Sequence, residues 1–284
     1  MKTFNPLINP EDDGLFIPEV REWSLEKYRL FGSYCEIFTS GMYHHWHNLV
    51  YIDLFAGAGY VKVKENGKIY YSSSLIALSL KKPFTKYILC EQDTERYLSL
   101  KERIKRDFSH YDVVVLNRDS NEAIDEILSH IPTYNKKNTV LPFCFVDPFS
   151  LNLHFNTIKT LGNRGLMDFL ILQALHMDAN RNLEKYLKDE NSRIENYLGV
   201  SNWREQYQKY CGGKAKNFVK FLADIYKAQM TEMGYLADHN MYQIRSNEKN
   251  LPLYYLAFFS KHPRGVQFFK KIESYANPQL KLEL

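Results

Sequence analysis

A short apolar run, Asn48-Leu49-Val50-Tyr51-Ile52-Asp53-Leu54-Phe55, is closed at once by Ala56-Gly57-Ala58-Gly59 and limits the folds open to this chain. A run without polar alternation must be buried on both faces, as in a parallel sheet, and the glycines let the chain turn where a side chain would be in the way. Parallel neighbours need crossovers, so helices have to follow. Residues 86–90 read as strand, 94–108 as a charged helix, 113–116 as strand, and 120–131 as a helix with Ile124, Ile127 and Leu128 inward. In 140–146 the hydrogen-bonded part is expected to be 143–146, because Pro142 lacks an N–H. A short helix at 156–161 and a fifth strand at 167–172 complete a mostly parallel sheet with helices on both faces.

Around this frame the pattern is less regular. Residues 1–22, interrupted by Pro6, Pro10, Gly14 and Pro18, read as an irregular lead-in. After Ser24, the spacing of Leu25, Tyr28, Phe31, Cys35 and Phe38 predicts an amphipathic helix. The alternation from Tyr60 to Lys64, the Asn66-Gly67 turn and Lys68–Tyr71 predict a β-hairpin, after which Ser72-Ser73-Ser74 can cap a helix that stops by Pro83. Residues 178–238 read as a helical insertion, with one stripe at Leu183, Leu187, Ile194, Tyr197 and Leu198 and another at Phe218, Phe221, Leu222 and Ile225, separated by Gly212-Gly213. Strands at 242–245 and 253–260 form an antiparallel pair appended to the sheet. The 284 residues allow one large α/β domain or two small ones, and the single frame favours one domain over 1–284.

Composition excludes several classes. With 45% hydrophobic and 25% charged residues the chain is not of disordered type, and no apolar stretch reaches the ~20 residues that span a bilayer. Cys35, Cys90, Cys144 and Cys211 form no CxxC pair, and His44-His45-Trp46-His47 lacks the spacing of a helical metal site, so no metal is expected. No secretory pattern opens the chain, and a cytoplasmic protein with reduced thiols is the expectation. The net charge of +4 is modest, but residues 151–284 carry 19 basic and 13 acidic groups, so an anionic partner would meet that half. Its candidate surface is Lys209, Lys214, Lys216, Lys220, Lys261, Arg264, Lys270 and Lys271, with Tyr207, Tyr210, Phe218 and Phe268 among them; lysine-coated amphipathic helices are the plainer reading. Lys101, Arg103, Lys105 and Arg106 read as a solvated helix face.

Parallel α/β sheets bind ligands beyond the carboxyl ends of their strands. Asp53, Glu91 with Asp93, and Asp119 stand at three successive ends. The dinucleotide fingerprint would continue Gly57-Ala58-Gly59 to a third glycine, where this chain has Lys62, so a nicotinamide oxidoreductase is disfavoured and S-adenosylmethionine preferred. Gly57 and Gly59 would approach its methionine end, Asp53 its ammonium group, Glu91 (or Asp93) its ribose hydroxyls, and Phe55 is also expected to contact the cofactor. Asp119, helped by Asn121, would accept from the adenine amine. The fourth strand ends in Asp147-Pro148-Phe149, an order suited to holding an exocyclic amine by the Asp side chain and the proline carbonyl while the ring stacks on a base; an Asp-Pro turn is the alternative. Asp178 and Arg181 are weaker candidates for the acceptor pocket.

Taken in order, Tyr51–Gly59, the Ser-Leu-Ile-Ala-Leu start at 74–78, Cys90-Glu91-Gln92-Asp93 and Val146-Asp147-Pro148-Phe149 resemble the three-Cys-motif partner proteins. Trp23 to Lys27 and the stretch from Tyr242 to Gly265, with Asn247, Pro252–Leu256 and His262–Gly265, are similar to the same family. The resemblance implies a Rossmann-like, class I methyltransferase fold and association with a separate radical-S-adenosylmethionine-like protein bearing three cysteines. Two positions depart from that family: Ser72-Ser73-Ser74 stands where it tends to have Gly-Ser-Pro, and Ala58 where it tends to have Pro. The expectation is therefore a methyltransferase acting on an amino group, with a nucleobase the first acceptor to test. The alternative is a noncatalytic partner that keeps the fold.

Overall fold

The first helix, α1 (Ser24–Met42), explains how the sheet is covered. Its stripe of Phe31, Tyr34 and Phe38 is buried and meets the strand residues Tyr51, Phe143, Phe145 and Phe258, with ring centroids 4.3–5.8 Å apart. The structure, a computed structural model, describes residues 4–179, 181–188, 191–211, 217–236, 241–246 and 250–276. Gly212, Gly213, Lys214, Lys216 and Asn247, named above, lie outside them.

The strands are β1 (Glu19–Val20), β2 (Asn48–Asp53), β3 (Tyr60–Val63), β4 (Ile69–Tyr71), β5 (Lys86–Cys90), β6 (Val113–Leu116), β7 (Val140–Val146), β8 (Asp168–Gln173), β9 (Tyr242–Arg245) and β10 (Pro252–Phe259). Seven of them form one sheet in the order β6-β5-β2-β7-β8-β10-β9. The first five positions are parallel. β10 runs antiparallel to both β8 and β9. Pro142 is accommodated inside β7, a longer strand than Pro142 led us to expect, because β8 begins opposite Phe143 and leaves β7 a neighbour on one side only at that point.

Among the described residues the remaining helices are α2 (Ser73–Leu78), α3 (Thr94–Asp107), α4 (Ile124–His130), α5 (Phe155–Gly162), α6 (Leu183–Tyr186), α7 (Arg193–Leu198), α8 (Trp203–Cys211), α9 (Phe218–Glu232) and α10 (Pro263–Ala276), with a π-turn at Leu175–Ala179. Helix α4 starts later than its apolar spacing suggested, because residues 119–123 form a turn closed by Ala123 N donating to Asp119 O at 2.9 Å. The insertion shares the sheet's core: Tyr226 of α9 packs on Phe155 and Phe259.

Two expectations are corrected. Residues 19–20 are not irregular; β1 pairs in parallel with β3, so the hairpin becomes a three-stranded sheet, β1-β3-β4. Arg103 is not on a solvated face. It is fully buried, donating to both oxygens of Asp13 at 2.6 and 2.8 Å and to the carbonyls of Phe16 and Ala58 at 3.0 and 2.7 Å. Burial alone would raise the Asp13 carboxyl, but Arg103, with the Leu15 N–H and Arg106, brings it down to about 2. The lead-in is thereby clamped to the glycine turn.

Candidate active site

Strand order reverses between β2 and β7, and there the carboxyl ends of β2, β5, β6 and β7 open on a cavity of about 690 Å3. That is within the 300–1,000 Å3 typical of sites for small molecules. Phe55, Gly57, Glu91, Asp119, Asp147, Pro148 and Phe149 all line it. Seven of the nine residues chosen from the sequence are thus brought together.

Gly57 holds φ +66°, a conformation that disfavours any side chain, and its N–H donates to Glu91 Oε2 at 2.8 Å. Glu91 Oε1 accepts from Asp93 N at 2.8 Å. Each oxygen therefore carries one backbone bond and keeps a further lone pair for a ligand hydroxyl. Asp93 serves as the N-cap of α3, accepting from Arg96 N at 2.9 Å. Asp119 Oδ1 takes Asn121 N at 2.7 Å. Asn121 ties its own side chain to the loop before α5 and to its first turn, donating to Asn152 O and accepting from His154 N and Thr157 Oγ1.

Asp53 and Gly59 lie behind this surface. Asp53 is completely buried; its carboxylate accepts from Tyr51 Oη and Ser73 Oγ, both at 2.7 Å, and from Phe55 N at 3.2 Å. Burial pushes it up to about 6 against those three bonds. It braces the turn from beneath instead of facing a ligand's ammonium group. Gly59 holds φ +89°, a conformation that disfavours any side chain, and a Cβ there would also press on Leu75 and Leu100 at 3.1–3.2 Å.

The serines divide their work in a way the sequence did not reveal. Ser73 bonds Asp53, and Ser74 donates to Ala56 O at 2.6 Å. Ser72 is the N-cap of α2, yet its hydroxyl makes no capping bond. The buried Ser72 Oγ has no partner and lines the cavity beside Gly57. An orphaned hydroxyl next to a glycine turn is a place for a polar ligand group.

At the other end Asp147 is paired with Lys27 of α1, a buried lysine that donates to Asp147 Oδ2. The Lys27 ammonium also sits 4.6 Å from the centre of the Tyr28 ring. Burial opposes its charge, but Asp147 together with the Tyr28 and Tyr254 hydroxyls outweighs burial, so its pKa is raised. Trp23 stacks on Tyr254 at 4.8 Å, and Tyr242 Oη bonds Glu26, so the start of α1 is fixed to the closing strands. Lys27 was missed in the sequence. Its signal was position: it falls on the buried stripe of Phe31, Tyr34 and Phe38, where an unpaired charge could not stay. Phe149, in contrast, is 92% exposed at the cavity mouth.

The fold is of the Rossmann-like, class I methyltransferase type. The reversal beside β2 and the antiparallel β10 inserted between β8 and β9 define it. Solved structures similar to the chain include a protein from Legionella pneumophila, with 11% identity over 88% of this chain and 92% of that one and a TM-score of 0.48. A putative O-methyltransferase from Klebsiella pneumoniae shows 9% identity over 88% and 84%, with a TM-score of 0.45. M. jannaschii TYW2 in complex with AdoMet shows 13% over 92% and 90%, with a TM-score of 0.39. No protein-family model matches the chain, and no curated protein does.

Asp178 does not line the cavity. It accepts from Leu151 N at 2.9 Å, Tyr186 Oη at 2.5 Å and Asn182 Nδ2 at 2.9 Å, tying the 150s loop to the insertion. Arg181 does not line the cavity. In the basic set, Tyr207 and Phe218 are buried in the insertion, and Lys261 is held by the carbonyls of Gly162 and Gly165. No group of three metal-ligating side chains occurs among the described residues, and none of their helices is long and apolar enough to cross a membrane.

Proposed function

We propose that the protein is an S-adenosylmethionine-dependent methyltransferase whose acceptor is an amino group, with a nucleobase as the acceptor class. The observation that carries this reading is the convergence of Gly57, the orphaned Ser72 hydroxyl, Glu91 and Asp119 on one cavity that ends at Asp147-Pro148-Phe149. The donor set fits the cofactor: Gly57 and Ser72 suit its zwitterionic end, Glu91 its two ribose hydroxyls, and Asp119 its adenine amine. When bound, the cofactor would supply an electrophilic methyl group on a sulfonium to the acceptor nitrogen, which would give up one proton to water. The chain's contribution is alignment. Asp147 and the Pro148 carbonyl would orient the amine, and the Phe149 ring would stack on the base.

Titration calorimetry of the purified protein with S-adenosylmethionine and its demethylated product tests the first step. Saturable binding that Glu91→Ala weakens at least about tenfold is the expected result. Absence of both binding heat and thermal stabilisation would overturn the reading.

A second reading has one observation in its favour, because Lys27 already holds an oxygen of Asp147. On this reading the chain is a noncatalytic partner of a three-cysteine radical-S-adenosylmethionine-like protein. Co-purification with that protein, together with cofactor binding but no methyl transfer, is the outcome that favours it.

A further inference from the structure

The acceptor end contains an ion pair where amine methylation needs only an acceptor. A carboxylate and a carbonyl suffice to hold an NH2 group, and a buried ammonium beside them costs desolvation, so the arrangement calls for a use. Lys27 has three N–H bonds, of which Asp147 Oδ2 takes one. No other hydrogen bond to the Asp147 carboxylate is made among the described residues, which leaves Oδ1 for the acceptor. The pair thus offers an acceptor atom and a donor side by side on the cavity wall, which Tyr28 and Tyr254 also line. A lone lysine here would favour an ionised oxygen acceptor such as a phenolate or carboxylate. Asp147 cancels that charge, and the neutral pair instead matches a neutral edge carrying one donor next to one acceptor.

We propose that Lys27 and Asp147 together read an amino group adjacent to an unprotonated ring nitrogen, as adenine presents at N6 and N1 and cytosine at N4 and N3. This rests on the methyltransferase reading above and narrows its acceptor. Asp147 Oδ1 receives the amine hydrogen and Lys27 donates to the ring nitrogen, which fixes the base in its plane while Phe149 covers its face. Lys27 is a specificity residue in this scheme, and the proton released on methylation goes to water, not to Lys27.

The test uses the whole chain saturated with the demethylated cofactor, so that the cofactor's own adenine pocket is filled. Adenosine is titrated against 1-deazaadenosine, and cytidine against 3-deazacytidine; each analogue replaces the ring nitrogen by C–H and leaves the amine. The wild type is expected to bind the natural nucleoside about tenfold or more tightly than its analogue, the loss of one hydrogen bond to a charged donor. Lys27→Met is expected to bind both members of a pair alike, and Lys27→Arg to restore part of the preference. The wild-type comparison needs no variant, so it stands even if Lys27→Met misfolds. Equal affinity within each pair, no saturable binding of any of the four, or a preference that survives in folded Lys27→Met overturns the proposal. If the demethylated cofactor binds and the nucleosides fail these criteria, the acceptor assignment falls alone; if the cofactor itself does not bind, the methyltransferase reading falls with it.

Discussion

Asp168 opens β8 with its carboxylate buried, accepting from Tyr34 Oη at 3.1 Å. Burial pushes it up to about 6, against the hydrogen bonds of Ser260 and Tyr34. In the unfolded chain it titrates near 3.9. Between about 4 and about 6 the folded state keeps a proton that the unfolded state has lost, so stability falls as pH rises through that window and levels off above it. Asp168→Asn imitates the protonated form. Urea unfolding at several pH values is expected to show part of the slope abolished, on the order of 2 kcal/mol, with the remainder belonging to Asp53, which burial shifts in the same direction. Within the cavity, Glu91→Gln has a different consequence. Its two oxygens each receive a backbone N–H, and a Gln amide would turn an NH2 toward one of those donors. Cofactor affinity measured by calorimetry is expected to drop about tenfold, with little change in the fold.

The elements that position the site are held by a few contacts whose loss should be disproportionate. Arg103 of α3 joins the lead-in to the glycine turn through Asp13, Phe16 O and Ala58 O. Asp13→Ala leaves that guanidinium buried with its carboxylate gone, a change expected to cost about 3–5 kcal/mol in urea unfolding and to weaken cofactor binding as residues 13–20 come loose. Asp13 titrates near 2 in the fold, so its own contribution is present above about 4 and is lost as pH falls from there toward 2. Helix α10 was not anticipated from the sequence. It packs beside β10, where a Cβ on Gly265 would lie 2.8 Å from Ser260 Cβ and 3.0 Å from Asp168 Oδ2. Gly265→Ala is therefore expected to destabilise by about 1–3 kcal/mol without changing cofactor affinity, since this contact lies at the start of β8, away from the carboxyl ends.

Across the whole molecule, one hydrophobic cluster runs from α1 through the sheet into the insertion helices α7, α8 and α9. A protein with one such core should unfold once. Scanning calorimetry is expected to give a single transition whose calorimetric and van't Hoff enthalpies agree; two separable transitions would mark the insertion as an independent unit. The strand–helix alternation was legible because burial on both faces leaves apolar runs that nothing but a parallel sheet accommodates well. The cavity-lining residues were legible for a related reason: they stand at strand ends, and topology fixes where strand ends go. Lys27 and Arg103 were not, because local charge patterning looks the same whether a basic residue faces water or a carboxylate 90 or more positions away.

The parallel frame, the glycine turn and the set of carboxylates at the strand ends follow from the amino-acid order alone, since each depends on local pattern and chain direction. Tertiary structure alone decided what those carboxylates do. Asp53 is enclosed by Tyr51, Ser73 and Phe55, while Glu91 and Asp119 face the cavity, although all three follow strands in the same way. Asp147 meets Lys27 across 120 residues. Burial and pairing are set by what the rest of the chain brings to a point in space, and a carboxylate's charge, partners and reach all follow from them.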